Sequence, residues 1–278
     1  MQFFNMITQG PSRSGLRVVL GAQEKMGKTT ISSMAPAPLL VPTEVGFAGV
    51  MCPRLPMIQD FATFENLLDQ FIGTAQAGQF PFRTLIFDSV TAIERMIHEY
   101  VLQLDPATKN GKTNTMESAH GGYGKAYTLA NMHFERVLQK LDVLAVNCSI
   151  NIIFTCHVFS SKVMDPTSGE YDSWDILLHS PKNQKTYGKR ELLTQWADVI
   201  AFIYEPIYTV TSEGKSTMVK GVSQNKGRVM GLSRTPAYTA GNRFGLQGEI
   251  PIPPPPQNGW NAFAEALYNV SGIDVYTR

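Results

Sequence analysis

The chain has 278 residues, 43% hydrophobic and 17% charged, with 24 Lys+Arg set against 23 Asp+Glu and a formal net charge of +1. A chain of this length and apolar content builds one large core or two small ones, which excludes a disordered or polyelectrolyte protein. Three cysteines without repeated spacing exclude a disulfide framework, and the near-zero total charge by itself gives no sign of nucleic acid or membrane.

In chain order, the first six residues lack a basic region followed by a long apolar run, so no secretory signal is expected. Short β-branched or aromatic runs at 16–20, 39–41, 84–88, 150–156 and 198–204 predict strands buried on both faces. Helical spacings at 28–34, 61–77, 90–104, 123–147 and 189–196 alternate with them, with Pro36 as a stop after the first and Asp60 as N-cap of the second. This alternation predicts an α/β fold of three layers around a mainly parallel sheet. Residues 207–211 and 217–222 then alternate as an antiparallel hairpin added to the sheet edge. Pro251 and Pro253 to Pro256 form a stiff connector to a last amphipathic helix around 260–267. The expected organisation is one domain over 1–250, with a short extension over 1–15 and no separate amino-terminal domain, then a connector and helix over 251–278. Segments 105–122 and 159–188 have the length and polarity of functional loops. The most apolar stretch, 141–158, is interrupted by Asp142, Asn147, Ser149 and Asn151, so a cytoplasmic protein without membrane association is expected.

The strongest local signal lies between the first strand and the first helix: Ala22, Gln23, Glu24, Lys25, Met26, Gly27, Lys28 and Thr29, followed by Thr30. The spacing is that of the phosphate loop GxxxxGK(S/T), with Ala22 in the first glycine place. Gly27 lets the backbone approach the phosphates, the amides of 27–29 point at the anion from a helix N-terminus, and Lys28 neutralises the β- and γ-phosphates. Thr29 offers a hydroxyl to Mg²⁺, so ATP and Mg²⁺ are the expected ligands. Leu85-Ile86-Phe87-Asp88 reads as an apolar strand beside the phosphate-loop strand, ending in the Asp that holds the metal. Glu44, at the end of the second strand, is the candidate to polarise the attacking water. His157, at the end of the fourth, is the candidate to sense the γ-phosphate.

Together these residues resemble the RecA-like recombinase ATPases. Residues 85–93 resemble that family's second acidic motif, Glu44 with Gly46 its catalytic glutamate, and His157 its polar sensor. Within the superfamily the chain is most similar to phage-encoded core-only members, the RecA-like class of Sak single-strand annealing proteins. The similarity there lies in Gly121-Gly122-Tyr123-Gly124, Gln195-Trp196-Ala197-Asp198-Val199 and Asn242-Arg243-Phe244-Gly245-Leu246. It covers residues 15 to 250 and implies ATP-dependent binding and annealing of single-stranded DNA. It also implies a homo-oligomeric ring or filament and cooperation with a single-strand DNA-binding protein. Lys226, Arg228 and Arg243 fall where these proteins place cations that reach the neighbouring subunit's ATP. Phe263-Ala264-Glu265-Ala266 has the form of the tether some relatives use, and on an amphipathic helix it reads first as core packing.

After His157, the acids Asp165, Glu170, Asp172 and Asp175 precede the cations Lys182, Lys185, Lys189 and Arg190, with Tyr187 among them. Cations with an aromatic for stacking hold single strands without sequence preference, so these five residues are the DNA-binding candidates. Lys109 and Lys112 form a second set in the earlier loop. The total charge hides an asymmetry: residues 1–175 hold 13 basic and 16 acidic side chains, whereas 176–248 hold 10 and 4. Two other functions fit the same motifs. One is a P-loop ATPase for packaging or helicase loading, the other a nucleotide-gated DNA-binding module with negligible turnover.

Overall fold

A computed structural model describes residues 14–109, 115–167, 169–181, 187–212, 218–223 and 227–276. The chain enters β1 (Arg17–Ala22), turns into α1 (Lys28–Ser32), and continues through β2 (Pro38–Pro42), α2 (Phe61–Gln76), β3 (Thr84–Asp88) and α3 (Val90–Leu104). A short α4 (Pro106–Lys109) and the long α5 (Lys125–Asp142) lead to β4 (Asn151–Cys156). Then follow β5 (Val158–Asp165), β6 (Gly169–Ile176), α6 (Lys189–Trp196), β7 (Val199–Tyr204), β8 (Ile207–Ser212) and β9 (Met218–Ser223). The last elements are β10 (Arg228–Gly231), β11 (Gly241–Asn242), β12 (Glu249–Ile252) and α7 (Gly259–Ser271).

The main sheet has the order β12-β10-β7-β1-β4-β3-β2, with β11 beside β7. Strands β1, β2, β3, β4 and β7 run parallel, and β10 and β12 supply an antiparallel edge. Alternating side chains feed two cores. Val19, Val41, Phe87 and Phe154 pack with Phe64 of α2, Ile97 of α3 and Phe134 of α5 on one face. Leu20, Leu40, Ile86 and Ile153 pack with Ile31 of α1 and Trp260, Phe263 and Leu267 of α7 on the other. These are the three layers expected of strands that are apolar throughout.

Local chemistry sets the helix ends. Asp60 caps α2 by accepting from Thr63 N at 2.9 Å, and Ser89 caps α3 through Ala92 N at 3.3 Å. Helix α1 stops at Ser32, short of the expected Met34, because Ser33 Oγ takes the carbonyl of Thr30 at 2.7 Å, which another turn would need. Helix α5 starts at Lys125 instead of 123, since Tyr123 and Gly124 both have left-handed backbones, with φ of 56° and 72°.

Three expectations are corrected. Strand β3 does not lie beside β1, because β4 pairs with both and separates them. The hairpin β8–β9 forms, but as a separate two-stranded sheet and not as an edge of the main one. Segment 159–188 is no plain loop: β5 and β6 pair over eight residues each, around a turn in which Asp165 Oδ1 accepts from Thr167 N at 2.8 Å. Trp174 ties this hairpin to the body, donating its N–H to Ala237 O at 2.8 Å and accepting from Thr239 N at 2.9 Å.

At the amino end of the strands, Arg17 bridges Asp142 (2.9 Å) and Asp198 (2.7 Å), and Trp196 Nε1 donates to Asp142 at 2.7 Å. All three cysteines are unpaired, and burial pushes the Cys156 thiol up to about 12. No helix among the described residues is long and apolar enough to cross a membrane.

Candidate active site

The carboxyl ends of β1, β2, β3 and β4 all open on the same crevice, so the side chains just beyond them converge. From β1 the chain runs through exposed Gln23, Glu24 and Lys25 and half-buried Met26 to Gly27, which N-caps α1 with φ 86°. That left-handed backbone suits glycine. Buried Lys28 folds its Nζ back onto the carbonyls of Ala22 (2.8 Å) and Gln23 (3.1 Å). Burial pushes its ammonium below the ordinary lysine range, opposed by the charges of Asp88, Cys156, Glu24 and Glu44.

Asp88 is 6% exposed and uses both carboxylate oxygens. Thr29 Oγ1 donates to Oδ2 at 2.9 Å, and the Thr155 hydroxyl donates to Oδ1. Glu44 likewise uses both: His157 Nε2 lies 2.7 Å from Oε1, and Arg95 donates to Oε2 at 3.0 Å. Burial raises the Glu44 carboxyl, but the contact with His157, a hydrogen bond from Ser89 and the charge of Arg95 together outweigh it and leave the pKa lowered. His157 is itself held by its backbone N–H, which donates to Thr91 Oγ1 at 3.2 Å.

Lys28, Thr29, Asp88, Glu44 and His157 are thus brought together, and Thr30 follows on α1. Sequence reasoning missed Arg95 and Thr155. A threonine inside the apolar run 152–156 was the available signal, since a buried hydroxyl needs an acceptor. Nothing local marked Arg95, whose partner lies 51 positions away.

The other candidates part company. Lys182, Lys185 and Lys226 lie outside the described residues. Tyr187 is 61% exposed. Lys189 is corrected from DNA ligand to core residue: it is 0% exposed, with Nζ 3.4 Å from Glu94 Oε1. Burial lowers the Lys189 pKa and raises that of Glu94, each opposed by the charge of the other. Arg190 is tied to Asp175 at 2.6 Å and Glu191 at 2.9 Å, so its charge is already matched within the chain. Arg243 sits at the opposite end of the strands from the phosphate loop, 3.4 Å from Asp198 and bonded to the Gln195 carbonyl. Arg228 reaches the phosphate loop of its own chain, where a cation serving a neighbouring subunit was expected, with Nη1 2.9 Å from Met26 O.

A strand, a phosphate loop closing on a helix with Lys and Thr, and an acidic strand end two places away in a parallel sheet define a P-loop NTPase with a RecA-like core. The model of the AAA domain family matches residues 14–244, and the chain belongs to that family. A solved structure of the RadB recombinase is similar over 88% of this chain and 90% of that one, at 13% identity and a TM-score of 0.44. No curated protein matches the sequence.

Two outcomes follow from these contacts. Lys189→Met should cost about 3–5 kcal/mol in denaturant unfolding by leaving the Glu94 charge buried and unpaired, with Lys189→Met/Glu94→Gln recovering part of the loss. For Glu44, NMR titration of the side-chain carboxyl should show its pKa rising in His157→Ala, which removes the strongest lowering contact. It should rise less in Arg95→Ala.

Proposed function

We propose that the protein binds Mg·ATP at Ala22–Thr29 and hydrolyses it with Glu44 as base. We propose further that it couples this cycle to single-stranded DNA, as a RecA-like annealing or recombination ATPase of the phage-encoded Sak class. The observation that carries the nucleotide half is the convergence of Lys28, Thr29, Asp88 and Glu44 on one crevice. Lys28 Nζ, held by two backbone carbonyls, can turn to a phosphate at little cost in distance. Glu44, with its lowered pKa, is ionised at neutral pH and able to accept a proton from water once His157 or Arg95 yields an oxygen.

The donor set fits Mg²⁺. Thr29 Oγ1 and Asp88 Oδ2 are hard oxygens 2.9 Å apart, and no cluster of three His, Cys, Asp or Glu suited to a metal occurs among the described residues. Mg²⁺ commonly takes one or two protein oxygens and completes its shell with phosphate and water. When bound, it would neutralise charge on the phosphoryl oxygens.

The DNA half has its own support. A cavity of about 490 Å³ between the β5–β6 hairpin and residues 234–239 sets Arg234 and Lys162, the latter in an exposed pair with Glu170, beside hydroxyls of Ser161, Ser173 and Thr239, while Arg190 in its wall is held by Asp175. The hairpin starts at the residue after His157, so β5 runs continuously from the nucleotide site to the cavity wall, which begins at Ser161. Homo-oligomeric assembly and a single-strand DNA-binding partner belong to the same reading through the sequence resemblance.

Lys28→Ala should abolish the stabilisation by Mg·ATP, about 2.7 kcal/mol at a hundredfold excess over Kd for the unsubstituted protein, measured by thermal unfolding. Stabilisation retained in that variant would remove the nucleotide from this loop. Lys162→Ala and Arg234→Ala should each flatten the salt dependence of single-stranded DNA affinity by about 0.7 in the log–log slope. Unchanged slopes would take the cavity out of the DNA path.

A further inference from the structure

The antiparallel edge of the sheet has a consequence for charge. Because β10 runs against β7, with Val229 opposite Tyr204 and Gly231 opposite Phe202, the start of β10 lies at the carboxyl end of β7. β7 is parallel to β1, with Ile203 opposite Ala22. The first residue of β10, Arg228, therefore stands at the same end of the sheet as the phosphate loop, two strands away. That spacing is about 9.6 Å between strand axes, and the length of an arginine side chain covers most of it.

The side chain uses that reach. Nη1 donates to Met26 O at 2.9 Å, and a Cβ placed on Gly27 would lie 2.1 Å from the same nitrogen. The guanidinium is thus seated against the residue that starts α1, beside the amides that face the phosphates. Arginine has five N–H donors in a planar fork, and among the described residues the Arg228 side chain makes one hydrogen bond, to Met26 O. No carboxylate among the described residues forms an ion pair with it, in contrast to Arg17, Arg190 and Arg243. A cation with no acid paired to it among the described residues, fixed by one donor and carrying several more, is suited to a phosphate oxyanion.

We infer that Arg228 acts in cis. It holds the phosphate loop through Met26 and gives its remaining donors to the phosphates of the nucleotide bound by its own chain. Each subunit therefore carries its own arginine, and this contribution to hydrolysis does not wait for a neighbour. The inference rests on the Mg·ATP reading of this loop.

Complementation between two variants tests it. Lys28→Ala has an intact Arg228 and a disabled phosphate loop; Arg228→Ala has the reverse. Each is assayed alone, and the two are co-expressed at equal levels, with Mg·ATP hydrolysis as the readout. Arg228→Ala should lower kcat/KM at least tenfold, and the co-expressed pair should hydrolyse no faster than the sum of the two alone. Activity restored in the pair would overturn the inference, because an arginine working across an interface would be supplied by the Lys28→Ala subunit. Wild-type kcat/KM in Arg228→Ala would overturn it as well. Arg228→Gln keeps a polar side chain and the aliphatic stem while removing the charge and the reach, so a folded Gln variant reports on the phosphate contact if the Ala variant unfolds. Its kcat/KM should fall with a melting temperature unchanged, and a wild-type value would overturn the phosphate role. A wild-type protein that Mg·ATP fails to stabilise would overturn the nucleotide reading itself, an outcome distinct from restored activity in the pair.

Discussion

Asp88 is the joint on which the site is built. Its strand is two places from the phosphate-loop strand, a gap of about 9.6 Å that no side-chain oxygen closes from β3 alone. The gap is closed from both sides. Thr29 at the start of α1 and Thr155 on the intervening β4 each give a hydroxyl to one oxygen of the carboxylate. Three elements are thereby fixed relative to one another by a group that is almost fully buried, where an unpaired charge would be costly.

Helix α3 extends this arrangement outward. Two consecutive residues on it do different things: Arg95 reaches Glu44 in the crevice, while Glu94 turns inward to Lys189 of α6 and accepts the backbone N–H of His179 at 2.8 Å. The helix thus couples the carboxylate proposed as base to the segment that follows the β5–β6 hairpin. With both oxygens of Glu44 engaged by His157 and Arg95, the base is held in a resting arrangement.

The sequence was most legible where structure is local. Residues 84–88 and 90–104 were read to the residue, because an apolar run, an Asp-Ser boundary and a helical period lie side by side. The phosphate loop was legible for the same reason: its function is the geometry of eight consecutive residues. What escaped depends on distant partners. Lys189 looked like a surface cation because Glu94, which makes it a core residue, is 95 positions earlier. The insertion of β4 between β1 and β3 is a choice among topologies that strand composition does not encode. The β5–β6 hairpin is a different case. Its strands are half exposed and polar, so alternation was weak, though Asp165-Pro166 followed by Gly169 carried a turn signal. Arg228 was legible as a cation, but its seat against the phosphate loop of its own chain follows from the antiparallel direction of β10.

Helix α1 has five residues, too few to persist without packing. Its apolar anchor, Ile31, sits in the core built with Trp260 and Phe263, and a Cβ on Gly259 would lie 3.5 Å from Ile31 Cγ1. The helix that presents Lys28 and Thr29 is therefore braced by the last of the described elements to leave the ribosome. Domains fold as units while synthesis proceeds from the amino terminus, at roughly 5–20 residues per second. A nascent chain halted before α7 would hold every phosphate-loop residue without the brace behind them. The packing of the five-residue helix that carries Lys28 and Thr29 is therefore completed only once α7 has folded against it, long after the loop residues themselves have been made.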